Sequence, residues 1–107
     1  MDTRQIYAAL FDGRGPVGIP GGEWIFVGDT GCFELAKLGQ IVAAAIGGSR
    51  AYVAVSRKAA AEVPSQWVPA VVRDYLKQGT VRIADIRLKR FVEVNPVGVA
   101  RAWSHDA

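Results

Sequence analysis

The sequence predicts a small single domain of the α/β (or α+β) class, with a mixed, mostly buried sheet of about five strands and two to three helices. The expected element order is β-β-α-β-α-α-β-β. Three observations carry this expectation. The chain holds 14 Val and 7 Ile against 5 Leu, and β-branched side chains suit a pleated, half-buried surface. The stretch from Glu23 to Gly48 reads as an apolar run, a glycine turn and an amphipathic helix stopped by paired glycines. Finally, 107 residues that are 50% hydrophobic suffice for one core and do not suit a disordered chain. The domain is expected to span residues 1–107, with 102–107 as a frayed tail.

Ile6 to Phe11 (IYAALF) reads as a first, interior strand. Asp12 to Gly22 then supplies five glycines and two prolines in eleven residues, too irregular for a regular element and too long for a tight hairpin turn. Trp24-Ile25-Phe26-Val27 is an unbroken apolar run, the pattern of a strand covered on both faces. Asp29 or Thr30 is placed to cap a following helix, and Glu34 adds negative charge to its first turn. Leu35, Leu38, Val42 and Ala45 recur at helical spacing, with Ile41 and Ile46 widening the stripe. Gly47-Gly48 closes it, where a left-handed residue is usually required.

Ala51 to Ser56 reads as a further strand, which would complete a right-handed parallel crossover with the strand before the helix. Arg57 to Val63 has the composition of a short helix. Ser65 is placed to cap a clearer one, with Pro69 in its first turn, Val68, Val72, Tyr75 and Leu76 inside, and Gly79 at its end. From Thr80 the alternation is that of strands. Val81 and Ile83 share one parity, whereas Ile86, Leu88, Val92 and Val94 share the other, so a bulge or break is expected near Ala84-Asp85. Asn95-Pro96-Val97-Gly98 is a turn, and Val99 to Trp103 returns as an edge strand that a second copy could pair with. Trp24, Trp67 and Trp103 are expected in or at the rim of the core.

The net charge of +3 is unevenly divided. Residues 1–49 carry 3 basic and 5 acidic groups, and residues 50–107 carry 10 and 5. The basic half suits an anionic partner. One cysteine excludes an internal disulfide framework and fits a reducing compartment. The N-terminus lacks the layout of a secretion signal, and no apolar run reaches the roughly 18–20 residues that span a bilayer. A soluble, cytoplasmic protein without a membrane role is therefore expected.

Gly13-Arg14-Gly15-Pro16-Val17-Gly18 matches G-x-G-x-x-G, but Pro16, Pro20 and Gly21-Gly22 prevent the helix that a dinucleotide fingerprint needs. Arg14, Gly15, Gly18 and Gly21 remain as candidate loop contacts. Asp29, Thr30, Gly31 and Cys32 are the better ligand candidate, because a helix N-terminus favours an anion and lowers a thiol's pKa. Against this, capping accounts for Asp29 and Thr30, and free cysteine is usually a buried hydrophobe. A cysteine nucleophile wants a base, and the only histidine is His105 near the end of the chain. One Cys and one His do not assemble a transition-metal site. No catalytic residues, metal or cofactor are assigned.

Arg82, Arg87, Lys89, Arg90 and Arg101 concentrate charge on the last strands. Arg87 and Lys89 alternate with Ile86 and Leu88, so an exposed face shared with Phe91 is expected. Basic groups beside an exposed aromatic can grip phosphates and stack a base, and they also guard an edge strand. Arg90 falls on the apolar parity and needs a partner or a bulge. The leading expectation is a small non-enzymatic binding protein that docks onto a larger protein or nucleoprotein complex. Free-standing domains of this size are often accessory or inhibitory proteins of phages and plasmids, an association of size and type. The alternatives are an enzyme or sensor of a small anion at Gly28–Cys32, and a regulator that binds nucleic acid through its sheet.

Overall fold

The computed structural model of the chain describes residues 2–11, 25–26, 28–29, 32–33 and 35–104. It shows a small α/β domain whose sheet is covered by two helices on one face and one on the other. The helices are α1 (Thr3–Phe11), α2 (Leu35–Ala45) and α3 (Val68–Tyr75, entered through a 3-10 turn at Ser65–Trp67). The sheet is built from β4 (Arg50–Ala54), β5 (Ala60–Pro64), β6 (Val81–Asp85), β7 (Arg90–Asn95) and β8 (Val99–Ser104), with the two-residue β1 (Ile25–Phe26) at one edge. Its order is β1-β8-β7-β6-β4-β5, and β2 (Gly28–Asp29) pairs separately with β3 (Cys32–Phe33). The Cα radius of gyration is 12.2 Å, close to the roughly 13 Å of a compact unit of about 100 residues.

The class matches the expectation from sequence, but several elements differ. Residues 6–11 are helical, as the last part of α1. Asp2 Oδ1 accepts from the Gln5 amide at 2.8 Å, and Gln5 Oε1 accepts from the Asp2 amide at 2.9 Å. This reciprocal capping box satisfies two orphan donors and starts the helix. Ile6 and Leu10, one turn apart, are buried, while Tyr7 and Phe11 stack with centroids 4.7 Å apart.

Residues 60–63, read as part of a helix, form β5 instead, in a hairpin with β4 that pairs Ala54 with Ala60 and Arg50 with Pro64. A paired strand here outweighs the helical propensity of alanine, which is only a few tenths of a kcal/mol per residue. All pairings among the described residues are antiparallel. The parallel crossover is absent among the described residues, because Ile25–Phe26 pairs with β8 rather than with β4. Residues 102–104, expected to fray, continue β8, and Trp103 is buried. Trp67, expected near the core, is exposed.

Alternation along the strands sorts the interior into two clusters. Leu38, Val42 and Ile46 of α2 and its end, with Val68, Val72 and Leu76 around α3, pack on Val53, Val81, Ile83, Val92 and Val94. On the opposite face, Ile6 and Leu10 pack on Tyr52, Ala84, Phe91 and Trp103. Small residues at Ala54 and Ala84 let α1 approach the sheet. Past α2 the chain turns at Gly47 and Gly48, with φ of 66° and 74°. A side chain at either position would be strained, so backbone direction, rather than crowding by the described residues, calls for glycine there.

Candidate anion-binding groove

The register of the sheet assembles the site. Ala51 pairs with Asp85, and Arg90 pairs with Ser104. The start of β4, the end of β6, the start of β7 and the end of β8 therefore meet at one end of the sheet. The glycine turn after α2 lies beside them. Together they enclose an open groove of about 680 Å³, lined by Gly47, Gly48, Ser49, Arg50, Asp85, Ile86, Arg87, Lys89, Arg90 and Ser104, with Ile46 beneath.

Four of these side chains are cationic and one is a carboxylate. Asp85 is engaged in the β6–β7 turn, where its Oδ1 accepts from the amides of Lys89 at 2.8 Å and Arg90 at 3.1 Å. The amide of Leu88 donates to the Asp85 carbonyl at 3.0 Å. Leu88 takes a φ of 58°, costly for a side chain by about 1–2 kcal/mol, and its side chain packs beside the α1-side cluster. The expected break in alternation is this turn. Because it is tied down at Asp85, it presents Arg87, Lys89 and Arg90 from a fixed base. Among the described residues none of these three forms an ion pair.

Arg50 forms a surface pair, its Nε donating to Glu62 Oε2 at 2.6 Å with both side chains well exposed. Pairs of this kind contribute about 0–1 kcal/mol, so Arg50 can turn to a stronger anion. Ser65, expected to cap α3, instead donates from Oγ to the Gly48 carbonyl at 2.9 Å, and its amide donates to the Ser49 carbonyl at 2.8 Å. These bonds fix the glycine wall of the groove. Arg50, Ser49 and Ser104 escape a reading of the sequence, since only the antiparallel neighbourhood of β4, β6, β7 and β8 brings them to the turn.

The basic residues expected to act together are divided. Arg87, Lys89 and Arg90 line the groove, whereas Arg82 and Arg101 lie on the sheet face beneath α1. There Arg82 Nε donates to Glu93 Oε2 at 2.9 Å and Arg101 Nη2 to Glu93 Oε1 at 3.3 Å. Phe91, expected beside Arg87 and Lys89 on an exposed face, is fully buried, with its ring 5.5 Å from that of Trp103. Its parity agrees with the expectation, but α1 covers that face. Arg90 needs no bulge, because it opens β7 at the groove rim and is exposed.

Asp29 and Cys32 form a register pair in the β2–β3 hairpin, and α2 begins only at Leu35. Neither residue occupies the helix's first turn, where an anion and a cap were expected. Thr30 and Gly31 lie outside the described residues, as do Arg14, Gly15, Gly18 and Gly21 of the glycine-rich stretch and His105. Among the described residues there is no cluster of three metal-ligating side chains, and no helix long and apolar enough to cross a membrane. Compared with family models, curated proteins and solved structures, the chain matches none.

Proposed function

We propose that this is a small binding protein that docks through the groove onto an anionic surface of a larger partner, a protein or a nucleoprotein complex. The observation that carries the reading is the convergence of Arg50, Arg87, Lys89 and Arg90 on one open groove, three of them unpaired by any described carboxylate. Two walls of different character support it. The turn is anchored by Asp85, and the opposite wall is bare backbone at Gly47-Gly48, which lets a partner come close. An intracellular setting rests on the single cysteine. Size and domain type, rather than any residue, associate the protein with accessory or inhibitory proteins of phages and plasmids.

The test is charge reversal of two exposed turn residues, Arg87→Glu with Lys89→Glu, and retention on polyanions such as heparin, polyglutamate and duplex DNA. The parent should bind at least one of them with strong salt dependence, and the variant should lose that binding while melting as the parent does. A parent that binds none, or a variant that binds as the parent does, would sink the reading.

A further inference from the structure

We infer that the groove's ligand is the sugar–phosphate backbone of double-stranded nucleic acid, held without regard to its sequence. The inference rests on the docking reading above and narrows it to one class of partner.

The choice between nucleic acid and an acidic protein turns on what lines the groove. Protein–protein contacts concentrate their affinity in buried aromatic or aliphatic anchors set in apolar pockets, and their centres are depleted in charge. This groove offers the reverse. Among the described residues its lining carries four cations and two serines, no aromatic residue, and Ile86 as its exposed apolar side chain. Interfaces with nucleic acid are more polar and far more positive than those between proteins. Three of the four cations are arginines, whose planar fork matches a phosphate in a bidentate way. Ser49 and Ser104 add hydroxyls of the kind that donate to phosphate oxygens.

The choice between duplex and single strand turns on stacking. Proteins that hold single strands lay bases on exposed aromatic rings. Among the described residues, Tyr52, Phe91 and Trp103 share the register row next to this end of the sheet and are buried beneath α1, and Trp67 is exposed but not part of the lining. What remains are charges on strand ends and on one tethered turn, suited to phosphates at fixed spacing. Asp85 adds a negative charge that opposes the ligand, and the carbonyl end of α2 adds a weaker one. Four cations against these predict modest affinity with a steep dependence on salt.

The experiment is fluorescence anisotropy of labelled duplex DNA of mixed sequence, titrated with the full chain over a series of salt concentrations. Each phosphate neutralised contributes about −0.9 to the slope of log affinity against log salt, so the parent should show a slope of about −3. Neutralising Arg87→Gln with Lys89→Gln should reduce its magnitude by roughly two and weaken binding at low salt on the order of tenfold or more. Arg57→Gln with Lys58→Gln, both exposed on the β4–β5 turn at the opposite end of the strands, should change neither quantity. Duplexes of different sequence should bind equally, and the single strand more weakly. A tighter single strand, a marked sequence preference, or a slope indifferent to Arg87 and Lys89 would overturn the inference. If polyglutamate binds through the same residues and duplex DNA does not, the nucleic-acid assignment fails while the docking reading stands. If neither of these nor heparin binds, both fail.

Discussion

Arg82, on β6, donates from Nη1 to the backbone carbonyl of Leu10 at 3.0 Å and so closes the C-terminal end of α1. The last turn of α1 carries no basic residue of its own, and the sheet supplies the cation that its dipole favours. The same guanidinium lies 4.7 Å over the ring of Phe11 and 5.5 Å from that of Trp103, while its Nε holds Glu93. Arg82→Met should destabilise the fold by about 3 kcal/mol, because it strips a largely buried carboxylate of one partner. Urea denaturation measures this. Adding Glu93→Leu should restore part of the loss, and a double variant no better than the single one would show that the ion pair is not the cause.

Asp85 serves the turn by geometry and opposes an anion by charge, and the two roles are separable. Asp85→Asn keeps an acceptor for the amides of Lys89 and Arg90 and removes the charge. It should leave the melt nearly unchanged and strengthen polyanion binding several-fold. Asp85→Ala removes the acceptor and should cost about 1–2 kcal/mol. Equal binding by the parent and Asp85→Asn would place the anion elsewhere.

Leu38 is fully buried between α2 and the sheet. Leu38→Asp should leave the chain unfolded, since an unpaired buried carboxylate costs several kcal/mol, on the order of the whole stability of such a domain. A cooperative, near-native melt by circular dichroism would refute this.

Burial raises the pKa of the Tyr75 phenol above its ordinary value of 10.0. The unfolded chain therefore loses this proton first as pH rises. The contribution to stability is complete below pH 10, and it is lost as pH climbs from there through the folded-state pKa. Tyr75→Phe should match the parent at neutral pH and lose less stability in the alkaline range. Chemical denaturation on both sides of pH 10 tests the difference.

The parts legible in the sequence are those set by local spacing. Leu38 and Val42 sit one turn apart, Gly47-Gly48 take the left-handed conformation that stops α2, and the Asn95–Gly98 turn closes with a 2.9 Å bond from the Gly98 amide. Misreading IYAALF had wider effects. A short apolar run does not distinguish strand from helix, and the arbitrating signal was Asp2 with Gln5 just ahead of it. With residues 6–11 taken as a strand, no helix is left to cover the face on which Phe91 lies, and Phe91 is expected in solvent beside Arg87 and Lys89. Arg50 was hidden for another reason: its place beside the β6–β7 turn depends on pairing between β4 and β6, which no local pattern encodes.

The sheet also acts as a partition. Among the described residues, thirteen buried ones form the cluster on the α2–α3 side and eight the cluster beneath α1, with no member in common. Helix α1 gives its cluster only two buried side chains, Ile6 and Leu10, while β4, β6 and β7 each pair with a strand on either side. The amides of α1 are thus protected by a smaller free energy than those of the central strands. Lifting α1 would wet Phe91 and Trp103 and leave the larger cluster closed, so native-state hydrogen exchange should find a sub-global opening on the α1 side alone.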